Sequence, residues 1–437
     1  MRTAYRVISA AIVATLMSGL AAQADETCNS PYISSLIKGQ EDFVHVWTLG
    51  VEGLGDGSDK LVTIDANPAS ANYGKVVDSL SVGGRGEAHH MGFTDDRKYL
   101  WAGGLDDSRI HVFDVGTNPA KPRLVRTISD LPARTGLVGP HTFYALPGRM
   151  LIGLLSNTQD KGGVTGLAVY NNKGDFVARY DMPVTSIGGV KGDGYGYDVA
   201  LNPAKNVLLT SSFAGWNNYM RELGEVINDP KAMAQFGGTM VLWNHKTMEP
   251  TQIFAVPGAP LEIRWALGSD QNWAITATAL TSKLWLVKQD AAGRWQAREV
   301  GTIGDPAKVP LPVDISITAD GKGLWVNTFM DGTTRYFDLT NPEQPKETYQ
   351  RHTGSQVNMV SQSWDGKRVY LTSSLLSLWD KKGADDEQFL RAFHWDGHEL
   401  TPAFEVDFTT EKLGRPHHMK FTAKPAGQLA LASGGAH

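Results

Sequence analysis

The chain reads as all-β, a seven-bladed β-propeller closed by pairing N-terminal strands with a C-terminal strand. Three observations predict it. Helical periodicity is scarce, while 47 glycines and 12 tryptophans are spread over 437 residues. A pattern of strand, short turn, strand, Asn-Pro loop and strand recurs along the chain. One copy of that pattern lacks its leading strand at the start of the chain, and the missing strand stands at the end.

The repeat is plainest from Arg97, where RKYLWAGG, a DDS turn, RIHVFDV, the loop TNPAKP and RLVRTI follow one another. From Lys322 the same order returns as KGLWVNTF, MDGT, TRYFDL, TNPEQP and KETYQR. Alternating apolar and polar residues, punctuated by Gly, Asp and Pro, are the mark of short strands joined by turns. A further strand leads each unit: HHMGFT, then HTFYAL from 141, YDVALN from 197, LEIRWAL from 261, VDISIT from 313 and VNMVSQ from 357. The seventh unit is split between EDFVHVWTL, KLVTIDA and KVVDSL near the start and HHMKFT near the end. Sharing one blade between the two ends closes the ring and removes sheet edges. Residues 25–437 then form a single propeller domain.

Residues 1–24 read as a signal peptide. Arg2 and Arg6 precede the apolar run VISAAIVATLMSGLA, and Ala22-Gln23-Ala24 is a small-x-small cleavage site. Twin arginines are absent and Cys28 follows Asp-Glu-Thr, so neither folded export nor a lipid anchor is expected. The expected location is the periplasm, with no membrane partner. Removing Arg2 and Arg6 takes the formal charge from −5 to −7. A mildly acidic chain without a basic run excludes nucleic acid as a partner. A single cysteine excludes an internal disulfide and cysteine-rich zinc sites, and Cys28 reads as a packed or tolerated thiol.

The propeller reading gives the histidines a place. Leading strands lie innermost in each blade, beside the central channel. His89-His90, His141 and His417-His418 begin the leading strands of successive blades, so their rings are expected to converge at one mouth. Asp198, Glu262, Asp314 and Met359 hold the corresponding positions elsewhere. Buried imidazoles are costly unpaired and repel when charged, and a transition metal resolves both problems. His89, His90, His141 and His417 are therefore the candidate metal ligands, with copper the best match to an imidazole set and zinc next. His418 is set apart, because neighbours on a regular strand face opposite sides. The acids fit two roles, orienting imidazoles or capping blade turns, and Glu262 with Arg264 suggests a salt bridge across blades. His45, His111, His245, His394, His398 and His437 read as structural or solvated, as does His352. Two long loops, 214–238 and 377–388, overhang the same mouth, the first with helical spacing at Met220, Leu223, Val226 and Ile227.

EAHHMGF, PHTFYAL, GYGYDVALNP, PLEIRW, VDISITADGKGLWVNTFMDGTTRYFDLTNPEQP, SWDGKRVYLTSSLLSLWD and the terminal HHMK resemble the selenium-binding protein family. Within it they are similar to the secreted bacterial branch, the methanethiol oxidases. The resemblance implies a copper-dependent propeller enzyme that converts methanethiol, O2 and water to formaldehyde, hydrogen sulfide and hydrogen peroxide. It maps the family's paired histidines onto His89 and His90, the next-blade histidine onto His141 and the terminal one onto His417. At position 418 the family usually carries an acid. The first strand lacks the cysteine of animal members, so selenium attachment is not expected. Two other readings stand beside the oxidase. One is a periplasmic copper- or selenium-binding protein without turnover. The other is a lactone hydrolase, which would favour calcium and carboxylate ligands over histidine. The catalytic base is not assigned by the sequence.

Cleavage after Ala24 is expected to leave Asp25 as the mature N-terminus. Mass spectrometry of the exported protein checks this, and a lipidated Cys28 or a different start would contradict it.

Overall fold

The computed structural model describes residues 30–34, 37, 39–267 and 271–424. Cys28, His437 and the cleavage site lie outside the described residues. Seven four-stranded antiparallel sheets are arranged around a central axis. The inner strands are Ala88–Phe93, Leu137–Leu146, Val199–Asn202, Pro260–Trp265, Pro312–Ile317, Val360–Gln362 and Arg415–Thr422, which head the first to seventh blades in that order. Inner strands of successive blades pack against one another from the seventh through the first to the sixth, while Arg415–Thr422 meets the sixth blade through Arg368–Thr372 and Phe389–Trp395.

Burial explains the sequence patterning. Inner strands are buried along almost their whole length, as in Ala88–Phe93 and Pro312–Ile317. The outermost strands alternate, as in Phe176–Asp181, because one of their faces meets solvent. Trp47, Trp101, Trp243 and Trp325 are fully buried and fill the wedges between blades.

The seventh blade has the expected split origin. Phe43–Leu49, Lys60–Asp65 and Val76–Ser81 pair in order, and Phe43–Leu49 takes Arg415–Thr422 as its inner partner. Further bonds fasten the seam: Asp42 N donates to Thr422 O at 2.8 Å, Lys424 N to Asp42 Oδ2 at 2.7 Å, and Arg97 to Phe421 O at 2.7 Å. The buried Glu41–Arg368 pair, 2.6 Å apart, ties the preceding segment to the sixth blade.

Most inner strands begin with an irregularity. In the first blade Ala88 pairs with Gly104 and Met91 with Ala102, so His89 and His90 together oppose Gly103. The second blade has the same step around His141 and Thr142, and the fourth around Leu261 and Glu262. The seventh skips His417. A bulge breaks strict alternation and re-aims side chains. Gly103 permits it, since a Cβ there would stand 2.8 Å from Pro140 O and from the Phe143 ring.

Elements outside the repeat include a short helix at Leu131–Thr135 and a small hairpin of Ser186–Ile187 with Val190–Lys191. The helical spacing in the 214–238 loop becomes three short helices, Trp216–Tyr219, Leu223–Ile227 and Pro230–Met233. Asp229 caps the last of them through Lys231 N at 3.0 Å, and Pro230 breaks any continuous helix before it. Val226 and Leu223 face inward, whereas Ile227 is exposed.

A chain ending before Arg415 is expected to melt at a much lower temperature and to aggregate, because Phe43–Leu49 would lose its partner and expose an edge. A cooperative transition at the wild-type temperature would show that the seam does not hold the ring.

Candidate metal centre

The inner-strand starts bring five imidazoles to one end of the axis. His89, His90, His141, His417 and His418 are each no more than 2 % exposed. Ring centroids lie 3.8 Å apart for His89 and His417, 4.0 Å for His90 and His141, 4.9 Å for His89 and His141, and 4.7 Å for His90 and His418. Ligand nitrogens of His89, His90 and His141 all fall within 4.8 Å of one another. His417 stands against His89 on the neighbouring blade.

The hydrogen bonds assign the ring nitrogens. Nδ1 of His141 is 3.1 Å from Thr142 Oγ1. That hydroxyl spends its proton on Tyr197 O or Asp198 Oδ1, at 3.1 and 3.0 Å, both of which only accept. Thr142 therefore accepts from His141 Nδ1–H, which leaves the Nε2 lone pair free. Among the described residues, His141 Nε2, His417 Nε2, His418 Nε2 and His89 Nδ1 are buried without a hydrogen-bond partner. Unpaired buried polar atoms cost on the order of 1–3 kcal/mol each, so this concentration of them fits a metal. Asn358 Nδ2, which donates to Ser374 O at 2.6 Å, stands 3.2 Å from His417 Nδ1. An amide N–H can only donate, so this contact puts the neutral ring's proton on Nε2, and ligation through Nε2 requires the contact to be given up.

His418 has a different position. Its Nδ1 accepts from Met91 N at 3.3 Å, just beyond the first-blade bulge. Asp198 accepts from Ile263 N of the next blade at 2.8 Å, and Asp314 from Val360 N of the next blade at 2.8 Å. His418 thus occupies the blade-stapling slot that carboxylates fill elsewhere. With Nδ1 accepting, the neutral ring carries its proton on Nε2, and this makes His418 a donor toward the axis rather than a ligand.

Of the two roles left open by the sequence, Asp198 takes the first, supporting an imidazole by holding Thr142 behind His141. The aspartates staple neighbouring blades where turn capping was the alternative. Arg264 reaches across blades to Asp198 at 3.2 Å and Asp314 at 2.8 Å, while Glu262 at 3.1 Å lies on its own strand. The cross-blade tie therefore runs through the two aspartates and not through Glu262 as expected. Glu262 Oε1 stands 3.9 Å from His90 Nε2. Met359 belongs to the hydrophobic core between the sixth and seventh blades.

Burial pushes the imidazoles of His89, His90, His141 and His418 well below their usual value, helped by their neighbours' charges, and His417 down to about 3. They remain neutral and keep a lone pair. The remaining histidines are elsewhere. His45 is fully buried between Thr63 Oγ1 and Thr422 Oγ1, at 3.0 and 2.8 Å. His111 faces Thr127, His245 faces the Tyr32 hydroxyl, and His352 bonds Asp331 O at the surface. His394 and His398 are exposed.

Above the histidines lies a narrow cavity of about 20 Å³, lined by His89, Leu105, Leu155, Tyr197, Phe213 and Trp379 among others. The two long loops roof it. Trp379 Nε1 donates to Tyr219 O at 2.9 Å and to Arg221 O at 3.1 Å, joining one loop to the other. Glu87, two residues before His89, anchors the second loop by accepting from Ser377 N at 2.7 Å and its hydroxyl at 2.6 Å. Sequence reasoning missed Thr142, Asn358 and this aromatic wall. Only the closeness of Thr142 to His141 was a usable signal.

A sequence profile of the family described as "56kDa selenium binding protein (SBP56)" matches residues 22–427. A methanethiol oxidase of Hyphomicrobium sp is 65 % identical over 401 residues, covering 92 % of this chain and 91 % of the relative. A methanethiol oxidase of Ruegeria pomeroyi is 56 % identical over 406 residues, covering 91 % and 93 %. A hypothetical selenium-binding protein of Sulfolobus tokodaii, solved by X-ray, superposes with a TM-score of 0.78 at 22 % identity, over 90 % of this chain and 96 % of that one. That last likeness shows the fold alone.

The buried imidazoles make the metal-free protein acid-sensitive. Their folded pKa values are depressed, so the unfolded chain binds protons first as pH falls below about 6.5, and each ring removes up to ~1.4 kcal/mol per pH unit. Carboxyls that burial pushes up, Glu87 to about 7, Asp59 to about 6, and Glu41, Asp78, Asp107 and Asp380, act in the opposite sense. Among the described residues they are outnumbered by eight depressed imidazoles, the five at the axis with His45, His111 and His245. The metal-free melting temperature is expected to fall between pH 7 and pH 5. A flat profile would contradict burial of these rings as neutral groups.

Proposed function

The chain belongs to the 56 kDa selenium-binding protein family, and from that premise we propose that it is a copper-dependent methanethiol oxidase working in the periplasm. Two bacterial relatives above 50 % identity are methanethiol oxidases. In the reaction, one methanethiol, one dioxygen and one water become one formaldehyde, one hydrogen sulfide and one hydrogen peroxide. The observation that carries the copper reading is the cluster of buried, neutral histidines whose unpartnered nitrogens share one end of the axis.

His89, His90, His141 and His417 would hold the metal. Bound copper supplies a soft Lewis acid that favours a thiolate ligand, together with a one-electron redox couple. The chain's own residues do the rest. Thr142 and Asp198 fix the His141 tautomer so that Nε2 faces the axis. Such supports behind ligands typically matter about 10–100-fold for metal affinity. His418 presents an N–H donor at the edge of the site. The apolar cavity beside His89 accepts a methyl group and excludes bulk water, while its small volume limits the substrate to a few heavy atoms. The signal peptide read at residues 1–24 supports the periplasmic location.

Copper-loaded mature protein is expected to consume methanethiol and oxygen and to release formaldehyde and sulfide. His89→Ala and His417→Ala should lose bound copper and turnover while keeping the propeller's melting transition, and Thr142→Val should weaken copper binding about 10–100-fold. His398→Ala should change none of these. Oxygen uptake that stays absent while both histidines retain copper would favour a binding protein without turnover.

A further inference from the structure

The cavity above the histidines is lined in part by Tyr219, whose hydroxyl no described residue engages. Tyr219 ends the first roof helix, Trp216–Tyr219, and its side chain is 0 % exposed. Its phenolic oxygen has no hydrogen-bond partner. The hydroxyls of Tyr73, Tyr170 and Tyr370 are also buried without a partner, but of these four residues Tyr219 alone lines the cavity, where a guest can meet it.

The surroundings have been shaped to admit this oxygen. It lies against Gly139, whose φ is +70°, and a Cβ on that residue would stand 3.1 Å from the hydroxyl. The same point is 3.4 Å from Leu155 and 3.5 Å from Leu105, two residues of the cavity wall. Phe213 packs on the phenol ring at 5.6 Å and fixes its direction. The other roof donor, the Trp379 indole, is already spent on the carbonyls of Tyr219 and Arg221.

Building on the assignment of a small alkane thiol as substrate, we propose that the Tyr219 hydroxyl donates a hydrogen bond to the sulfur of the bound thiol, while Leu105, Leu155 and Phe213 enclose its alkyl group. Tyr219 is then a binding residue that sets which end of the substrate faces the histidines. A sulfur anion gains most from such a donor, since hydrogen bonds to charged acceptors are roughly twice as strong as neutral ones. Burial raises the phenol far above its usual value of 10, so the group remains a donor throughout the working range.

The test is Tyr219→Phe, which deletes one oxygen from a packed ring. Copper(I)-loaded protein kept without oxygen binds thiol but cannot turn over, so calorimetry reads affinity directly. Methanethiol is expected to bind about tenfold more weakly to the variant. Copper content, melting temperature and affinity for carbon monoxide, a poor hydrogen-bond acceptor, should be unchanged. Equal methanethiol affinity in the two proteins would overturn the proposal. So would an equal loss for carbon monoxide, which would report a packing change. If the wild-type copper(I) protein binds no methanethiol, the thiol reading itself falls and the role of Tyr219 with it.

Discussion

One antiparallel pairing underlies everything at the axis, that between Phe43–Leu49 and Arg415–Thr422. It joins segments separated by more than three hundred residues and turns seven sheets into a closed ring. Without it His417 and His418 would sit on a free strand. With it, they stand beside His89 and His90. The loop-closure cost grows only slowly with the length enclosed, and the strand offsets it with a buried inner edge, a cation at Arg415 and two histidines. Arg415 bonds Asp380 at 3.0 Å and Asp386 at 2.6 Å, so the same strand that closes the ring also positions the second roof loop.

The axis is also an electrostatic compromise. Three carboxylates, Asp198, Glu262 and Asp314, are gathered by the single guanidinium of Arg264, all of them buried. Burying ions is costly, and it is tolerated here because the aspartates also accept backbone N–H bonds from adjacent blades. On the opposite side of the axis His418 takes over the stapling task without a charge. The substitution of an imidazole for a carboxylate there leaves the histidine cluster free of an adjacent anion on that blade. The result is an ion-paired group and a neutral histidine group that meet at Glu262, 3.9 Å from His90, and at Asp198, behind Thr142 and His141.

The roof completes this contrast. Aromatic and aliphatic side chains from two loops enclose the unspent nitrogens in an apolar space, and two backbone carbonyls of the first loop accept from the Trp379 indole N–H of the second. Glu87 connects that roof to the strand carrying His89 and His90. Access to the site and the geometry of the site therefore share a support. A low-dielectric enclosure strengthens each polar contact made inside it.

The repeat of apolar alternation and turn residues was enough to read the blade count, the split seventh blade and the convergence of His89, His90, His141 and His417, because these follow from periodicity and chain order. The long loops announced their common face for the same reason. What periodicity cannot express is the exception to itself. The bulges that turn both His89 and His90 inward depend on how Gly103 meets Pro140 and Phe143 from the next blade. The staple role of His418 depends on Met91 N, a backbone group with no signature in the residue type. Thr142, Asn358 and Tyr219 acquire meaning only from partners, or from the lack of one, in other blades and loops. The sequence by itself determined the ring and which residues meet at its axis. Tertiary structure alone decided how the ring nitrogens of His141, His417 and His418 are used, since that is set by hydrogen bonds that depend on other blades.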